Sequence, residues 1–225
     1  MKFYSTLVLF LGLQVLSAQN SGKIVFSEEW DRAFRNWSYK ESHTWELVFN
    51  DTIAICRWIK PEEDDRSIGA VQVYRWQRDV EDIYVTHIPE RKVEDAVDFM
   101  RKMFQVDGDF PNYRWKMTGK QGLVEEFPCM EAMTIDGQDT IYAWFSPRMQ
   151  LPIGPREFRG LPGAVLYLEA DGGNRKISIE SIDLSYELKA SDVDFSRPKG
   201  KSTTYEEFIP FRREKMQEMR DMYGR

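Results

Sequence analysis

Histidine and cysteine are scarce in this 225-residue chain: His43, His87, Cys56 and Cys129 are all there are. The spaced signatures of common chemistry are missing too. There is no Gly-x-Ser-x-Gly elbow, no His-Glu-x-x-His, no phosphate-cradling Gly-Lys-Ser/Thr loop and no dinucleotide fingerprint. Positive charge is not in surplus. Lys and Arg number 31 against 37 Asp and Glu, a formal net charge of −6. That balance argues against nucleic acid and anionic membrane surfaces as partners, because both favour basic patches. No Ser/Gly linker or internal repeat divides the chain, and no apolar run reaches the roughly 20 residues a spanning helix needs.

What is present begins at the amino end. Met1-Lys2, an apolar run from Phe3 to Leu16, and Ser17-Ala18-Gln19 have the layout of a secretory signal peptide cut after Ala18. The expected division is therefore a signal peptide over 1–18 and a single domain over 19–225, without a transmembrane span in the mature protein. No cysteine stands at the break, which argues against a lipoprotein anchor. In an exported protein the remaining pair, Cys56 and Cys129, is first read as a disulfide. It would close a loop of some 70 residues and contribute roughly 4 kcal/mol on the chain-entropy view. Two buried free thiols are the alternative, since Cys56 ends the alternating run Ile53-Ala54-Ile55-Cys56.

Strand signals dominate the mature chain. Lys23–Ser27, Trp45–Phe49, Thr52–Trp58, Ala70–Trp76, Asp82–Ile88, Met130–Ile135, Thr140–Phe145, Ala164–Ala170 and Lys176–Leu184 are β-rich. Turn signals such as Asn50-Asp51, Asp136-Gly137 and Asp171-Gly172-Gly173-Asn174 separate several of them, at about ten-residue spacing. Val93 to Val106 fits helical and alternating spacing alike; its neighbours favour strand. Near the end, Thr204-Tyr-Glu-Glu207 reads as a capping box. Phe208, Phe211, Lys215, Met219 and Met222 trace one helical face, with Pro210 expected to kink or restart the helix. Ser191 to Ser202 reads as a surface loop. The fold class is thus mainly β (α+β): a curved antiparallel sheet with a C-terminal helix.

Chemistry is harder to find. His87 precedes Ile88-Pro89 at a strand end, where a structural or exposed role outweighs that of a base. The run Glu62-Glu63-Asp64-Asp65 reads as a solvated loop, and no carboxylate pair stands out. Met100 and Met103, Met130 and Met133, and Met216, Met219 and Met222 repeat a Met-x-x-Met interval. Thioether sulfur suits Cu(I), but methionine also fills gaps in cores. On the strand from Ile141 to Phe145, Tyr142 and Trp144 share one face and Ile141, Ala143 and Phe145 the other. One face must pack the core; the other lines a ligand groove or forms sheet surface.

The richest stretch lies just beyond. Pro152, Gly154, Pro155, Gly160, Leu161, Pro162 and Gly163 specify one backbone path rather than a flexible linker. The plain reading is that this loop pins a strand crossover and the start of a core strand. The functional reading adds Arg156, Glu157 and Arg159 as charged groups held out to a partner. Gly160 and Gly163 are both expected to need positive φ.

Taken in order, Trp115-Lys-Met-Thr-Gly119, Phe127-Pro-Cys-Met-Glu-Ala132, Tyr142-Ala-Trp-Phe145, Pro152-Ile-Gly-Pro155 and Phe158-Arg-Gly-Leu-Pro-Gly163 resemble the GLPGLI family of small exported proteins of outer-membrane bacteria. The resemblance covers about Trp115 to Asp171. Two departures stand out: Ala164-Val165 replace Leu-Ile after the motif, and Arg156-Glu157 stand where many relatives have Trp-Lys. The resemblance implies an exported, periplasmic compartment and an architecture, with outer-membrane association or secretion as variants; it implies no reaction. The function expected is that of a cell-envelope binding or accessory protein without evident catalysis, its partner an envelope protein or an apolar ligand. Tyr142, Trp144, Arg156, Glu157 and Arg159 are its candidate ligand-binding residues. An acidic-residue hydrolase and a copper-handling protein are the alternatives. Nothing in the residues calls for a catalytic centre, a cofactor or a resident metal.

Overall fold

A computed structural model describes residues 21–34, 37–59 and 82–223. The expected signal segment 1–18, the acidic stretch Glu62–Asp65 and the expected strand Ala70–Trp76 lie outside the described residues. What is described is mainly β, a curved antiparallel sheet with a C-terminal helix.

Two runs of neighbouring strands meet in the middle of the sheet. The first comprises β1 (Gly22–Phe34), β2 (Trp37–Phe49), β3 (Ile53–Ile59), β4 (Ile83–His87), β5 (Lys92–Phe99) and β6 (Lys102–Asp109). The second comprises β7 (Lys116–Val124), β8 (Phe127–Asp136), β9 (Asp139–Ser146), β10 (Ala164–Ala170) and β11 (Arg175–Asp183). They join where β1 pairs with β11. A short β12 (Lys201–Thr203) adds to β6, and it alone is parallel to its neighbour. The order across the sheet is β12-β6-β5-β4-β3-β2-β1-β11-β10-β9-β8-β7.

Chain connectivity shows how strongly this sheet must curl. β6 and β7 lie near opposite edges, which in a flat sheet would be about 48 Å apart at the usual strand spacing. Yet only the chain from Asp109 to Lys116 joins them, and it spans at most about 25 Å when fully extended. The sheet therefore wraps around an interior, with segment 110–115 bridging its open side.

Alternation fills that interior. Ile24 and Phe26 of β1, Trp45, Leu47 and Phe49 of β2, and Ala54, Cys56 and Trp58 of β3 all point inward and are buried. The opposite face of β2 to β5 is covered as well. Val48, Ile55, Ile83, Val85 and Ala96 pack beneath Tyr186, Leu188, Val193 and Phe195. This explains why β3 shows no clean polar alternation. The covering segment contains the one-turn helix α1 (Ala190–Val193) before it reaches β12, so the expected surface loop carries short elements of its own.

Val93–Val106 is strand, but as two strands. The chain reverses at Met100 and Arg101, whose φ values of 53° and 59° give a two-residue hairpin turn without glycine. β7 was not foreseen. It is an exposed, polar edge strand bearing Gly119 at φ 84° beside a register shift, with little apolar patterning to betray it.

Helix α2 (Tyr205–Tyr223) starts at Thr204, whose Oγ1 accepts the Glu207 N–H at 3.4 Å. The Glu207 carboxylate accepts from Thr203 Oγ1 instead of closing the expected box. The helix passes through Pro210 as one element; the ring withholds the N–H that the Glu206 carbonyl would otherwise receive. Phe208 and Phe211 pack on Phe99 and Phe104 with ring centroids 5.0 to 6.1 Å apart. The expected apolar face then runs out. Met222 is 73% exposed.

Candidate functional site

The Gly-Pro loop lies inside the curl. β9 and β10 pair directly and antiparallel, so the loop is an enlarged hairpin connection and not the expected crossover. Its own turns hold it: the Gly160 N–H reaches the Pro152 carbonyl at 3.1 Å, Ala164 reaches Met149 at 3.0 Å, and Val165 reaches Ile153 at 2.9 Å. Gly160 does adopt a positive φ, 96°. Gly163 is required for a different reason: a Cβ there would stand 2.3 Å from the Ser146 carbonyl oxygen. At Gly154 the clash would be with the Phe158 oxygen, at 2.1 Å.

Arg156, Glu157 and Arg159 are not presented outward, and the expectation that they are free for a partner is corrected. Glu157 is 2% and Arg159 1% exposed, because the loop carries them into the concavity, where β-sheet carboxylates await. Arg156 donates from Nη1 to Glu28 at 2.9 Å and from Nε to the Tyr84 hydroxyl at 3.2 Å. Its guanidinium lies 4.9 Å from the Trp45 ring centroid. Glu28, 1% exposed, also accepts from Trp45 Nε1 at 2.7 Å, Trp30 Nε1 at 3.0 Å and Arg175 Nε at 2.7 Å. Burial by itself would raise the Glu28 carboxyl. The charges of Arg156, Arg175 and His43 and the Trp45 bond outweigh it and hold the group at about 2. Glu157 is likewise held at about 2, against burial, by Arg156, Arg212 and Arg175.

Two further links fasten α2 to this interior. Arg212 donates to Glu157 at 2.9 Å, to Asp136 at 3.1 Å and to the Tyr113 hydroxyl at 3.3 Å. Asp95 of β5 accepts from Arg159, from the Tyr205 hydroxyl and, at 2.8 Å, from the Val85 N–H. Sequence reasoning missed Glu28 and Asp95, although a signal existed. Each interrupts an inward apolar alternation, at Ile24-Phe26-Glu28 and Val93-Asp95-Val97.

The open side of the curl holds a cleft of about 980 Å³. Its walls come from segment 108–116 that bridges the edges, from the β8 end at Met133–Ile135, and from the start of α2, with Arg91 and Gly160 completing it. Tyr113 is locked there by stacking on Phe158 at 5.7 Å. Arg91 lies over the Phe110 ring at 4.7 Å.

The other expected residues fall elsewhere. Tyr142 and Trp144 lie on β9 outside the cleft, half-buried. Trp144 pairs with Tyr167 and Glu131 across the sheet, and its ring fills the space a Cβ of Gly122 would need. The structure thus gathers the three loop residues and leaves the two β9 aromatics on a separate surface.

The disulfide is corrected outright: Cys56 and Cys129 are both free and buried. β2, β1, β11, β10 and β9 separate their strands, and the Cys56 sulfur accepts the Arg156 N–H at 3.4 Å. Burial pushes the Cys56 thiol up to about 12 and Cys129 to about 11. Neither should react with an alkylating reagent in the folded protein, and both should react after denaturation without reductant. Intact-mass analysis checks this; a mass two protons lighter and resistant to alkylation would contradict it.

Among the described residues no group of three or more His, Cys, Asp and Glu gathers to hold a metal. Met130 and Met133 sit three apart on β8 and so point to opposite faces. Of the carboxylates, burial pushes Asp95 up to about 6 despite Arg159, and burial also raises Asp139. Neither lines the cleft.

No protein-family model matches the sequence, and no curated protein does. Among solved structures the chain is similar to PNGF-II in two crystal forms. The first superposes with a TM-score of 0.57 at 11% identity, covering 86% of this chain and 34% of that one. The second gives 0.55 at 12%, covering 86% and 33%. A DUF1329 family protein from Desulfovibrio piger aligns over 79% of this chain and 91% of its own at 10% identity, but its TM-score of 0.27 is too low to establish a shared fold. The chain spans about a third of the PNGF-II chain it matches, and with that portion it shares a fold.

Proposed function

We propose that this chain is an exported cell-envelope protein, akin to the GLPGLI family, that works as a binding module for an amphipathic ligand. The signal-like segment over 1–18 supports export, with the periplasm as the working compartment. The observation that carries the binding role is the cleft. Its volume of about 980 Å³ suits a drug-sized molecule, for which pockets run to roughly 300–1,000 Å³. Phe110, Trp115, Ile135 and Ile209 supply apolar wall, and polar groups converge beside them. The concavity behind is already filled by the Gly-Pro loop and its ion pairs, which makes a rigid floor for the cleft. Among the described residues no helix is long and apolar enough to cross a membrane.

A neutral apolar dye tests this reading. N-phenylnaphthylamine should bind with saturable fluorescence at one site, and Ile135→Glu should weaken it about tenfold. Ile135 is 62% exposed, so the substitution leaves the fold intact. Binding that never saturates, or that ignores Ile135→Glu, would remove the cleft from the account.

A further inference from the structure

The charges around the cleft say more about its occupant, provided the cleft is a binding site at all. Although the protein is acidic overall, Arg91, Arg114, Lys116, Arg159 and Arg213 line this cavity against only Asp109 and Glu206. Three of these seven charges have protein partners. Arg159 is paired with Asp95, and Arg213 with Asp136. Asp109 accepts from Lys92 at 2.6 Å. Arg91, Arg114 and Lys116 remain, all exposed; among the described residues none of them has a carboxylate within ion-pair distance.

Arg159 Nε and Trp115 Nε1 are shielded from water without a hydrogen-bond partner, and both residues line the cleft. Fully shielded as they are, these donors meet no acceptor in the cleft unless their cover shifts, so the attraction for an anion comes from the exposed cations and the helix end. Thr204, Tyr205 and Glu206 bring the amino end of the 19-residue α2 to the same wall, where free N–H groups and the helix dipole favour negative charge. The Glu206 carboxylate opposes this in part, from an exposed position.

We infer that the ligand is an amphiphile with an acidic head, held by Arg91, Arg114 and Lys116, with its apolar body against Phe110, Trp115 and Ile135. Carboxylate and phosphate heads share this chemistry, and both accept hydrogen bonds from guanidinium and backbone N–H groups. Arg91 lies on a different stretch of chain from Arg114 and Lys116 and joins them only through the fold, which is why the sequence does not announce the site.

The test is calorimetric titration of the full mature chain with decanoate, decyl phosphate, decyl glucoside and decyltrimethylammonium. One or both anions should bind about tenfold or more tightly than the neutral and cationic chains, and added salt should erode the difference. The tighter anion identifies the head. The combined variant Arg91→Gln, Arg114→Gln, Lys116→Gln should lose the preference while keeping its circular dichroism and its binding of N-phenylnaphthylamine. If that variant misfolds, Arg114→Glu with Lys116→Glu is the replacement. Equal binding of all four amphiphiles overturns the acidic head and leaves the cleft reading standing. Failure of all four while the dye still binds overturns it as well. Failure of the dye too removes both.

Discussion

Replacing Glu28 by alanine should unfold the protein or bring it close to unfolding. The substitution strands two guanidiniums, Arg156 and Arg175, that Glu28 now neutralises at 2.9 and 2.7 Å. Removing one partner of a buried ion pair costs about 3–5 kcal/mol, a large share of a typical 5–15 kcal/mol total stability. Glu28→Gln keeps an oxygen for Trp30 and Trp45 while deleting the charge, so it should fall between wild type and alanine. The same group predicts an acid transition. Glu28 and Glu157 are each held at about 2, well below the ordinary 4.5. A depressed carboxyl stabilises the fold above its unfolded value, and that contribution disappears as pH falls through the folded one. Stability should therefore drop between about pH 4.5 and 2, each group contributing on the order of 3 kcal/mol. Urea midpoints at several pH values measure it. A Glu28→Ala protein within 1 kcal/mol of wild type, or an acid limb unchanged in Glu28→Gln, would contradict this picture of the interior.

The second large effect belongs to glycine. Gly163→Val places a Cβ 2.3 Å from the Ser146 oxygen and 2.8 Å from its carbonyl carbon, where β9 gives way to the loop. Neither atom is the end of a flexible side chain, so the backbone itself must move. A loss above about 4 kcal/mol is expected, in the range reserved for severe lesions. Gly154→Ala should be nearly as severe, since its new Cβ meets the Phe158 oxygen at 2.1 Å. Gly160→Val is milder. Its cost is the left-handed φ of 96°, about 1–3 kcal/mol, with the nearest contact at 3.4 Å. Thermal melts of the three variants should show that ranking, and a Gly163→Val protein melting like wild type would refute the close approach.

How much of this was legible beforehand depends on the residue. Strands with apolar alternation and marked turns, such as Trp45–Phe49 before Asn50, could be read directly. Asn50 Oδ1 does accept the Thr52 and Ile53 N–H groups at 2.8 and 2.9 Å. The Met100-Arg101 hairpin could not, because neither residue is a usual turn former. Arg156, Glu157 and Arg159 looked solvated because charges on a loop ordinarily are. Only the curl of the sheet, set by contacts far apart in sequence, reveals that this loop turns inward to meet Glu28 and Asp95. The free cysteines follow from the same geometry: a cysteine pair behind a signal-like segment invites a bridge, yet the two lie on strands well apart in the sheet. The cleft was invisible for a related reason. Arg91, Phe110, Ile135, Gly160 and Tyr205 come from five separate stretches, and no local pattern links them.

Native mass spectrometry of the protein, purified without denaturant from the cells that make it, tests the binding role most directly. We predict a mature mass beginning after Ala18, carrying one amphipathic anion that is absent from the Ile135→Glu protein. A bare wild-type protein that takes up neither decanoate nor N-phenylnaphthylamine when they are supplied would contradict it.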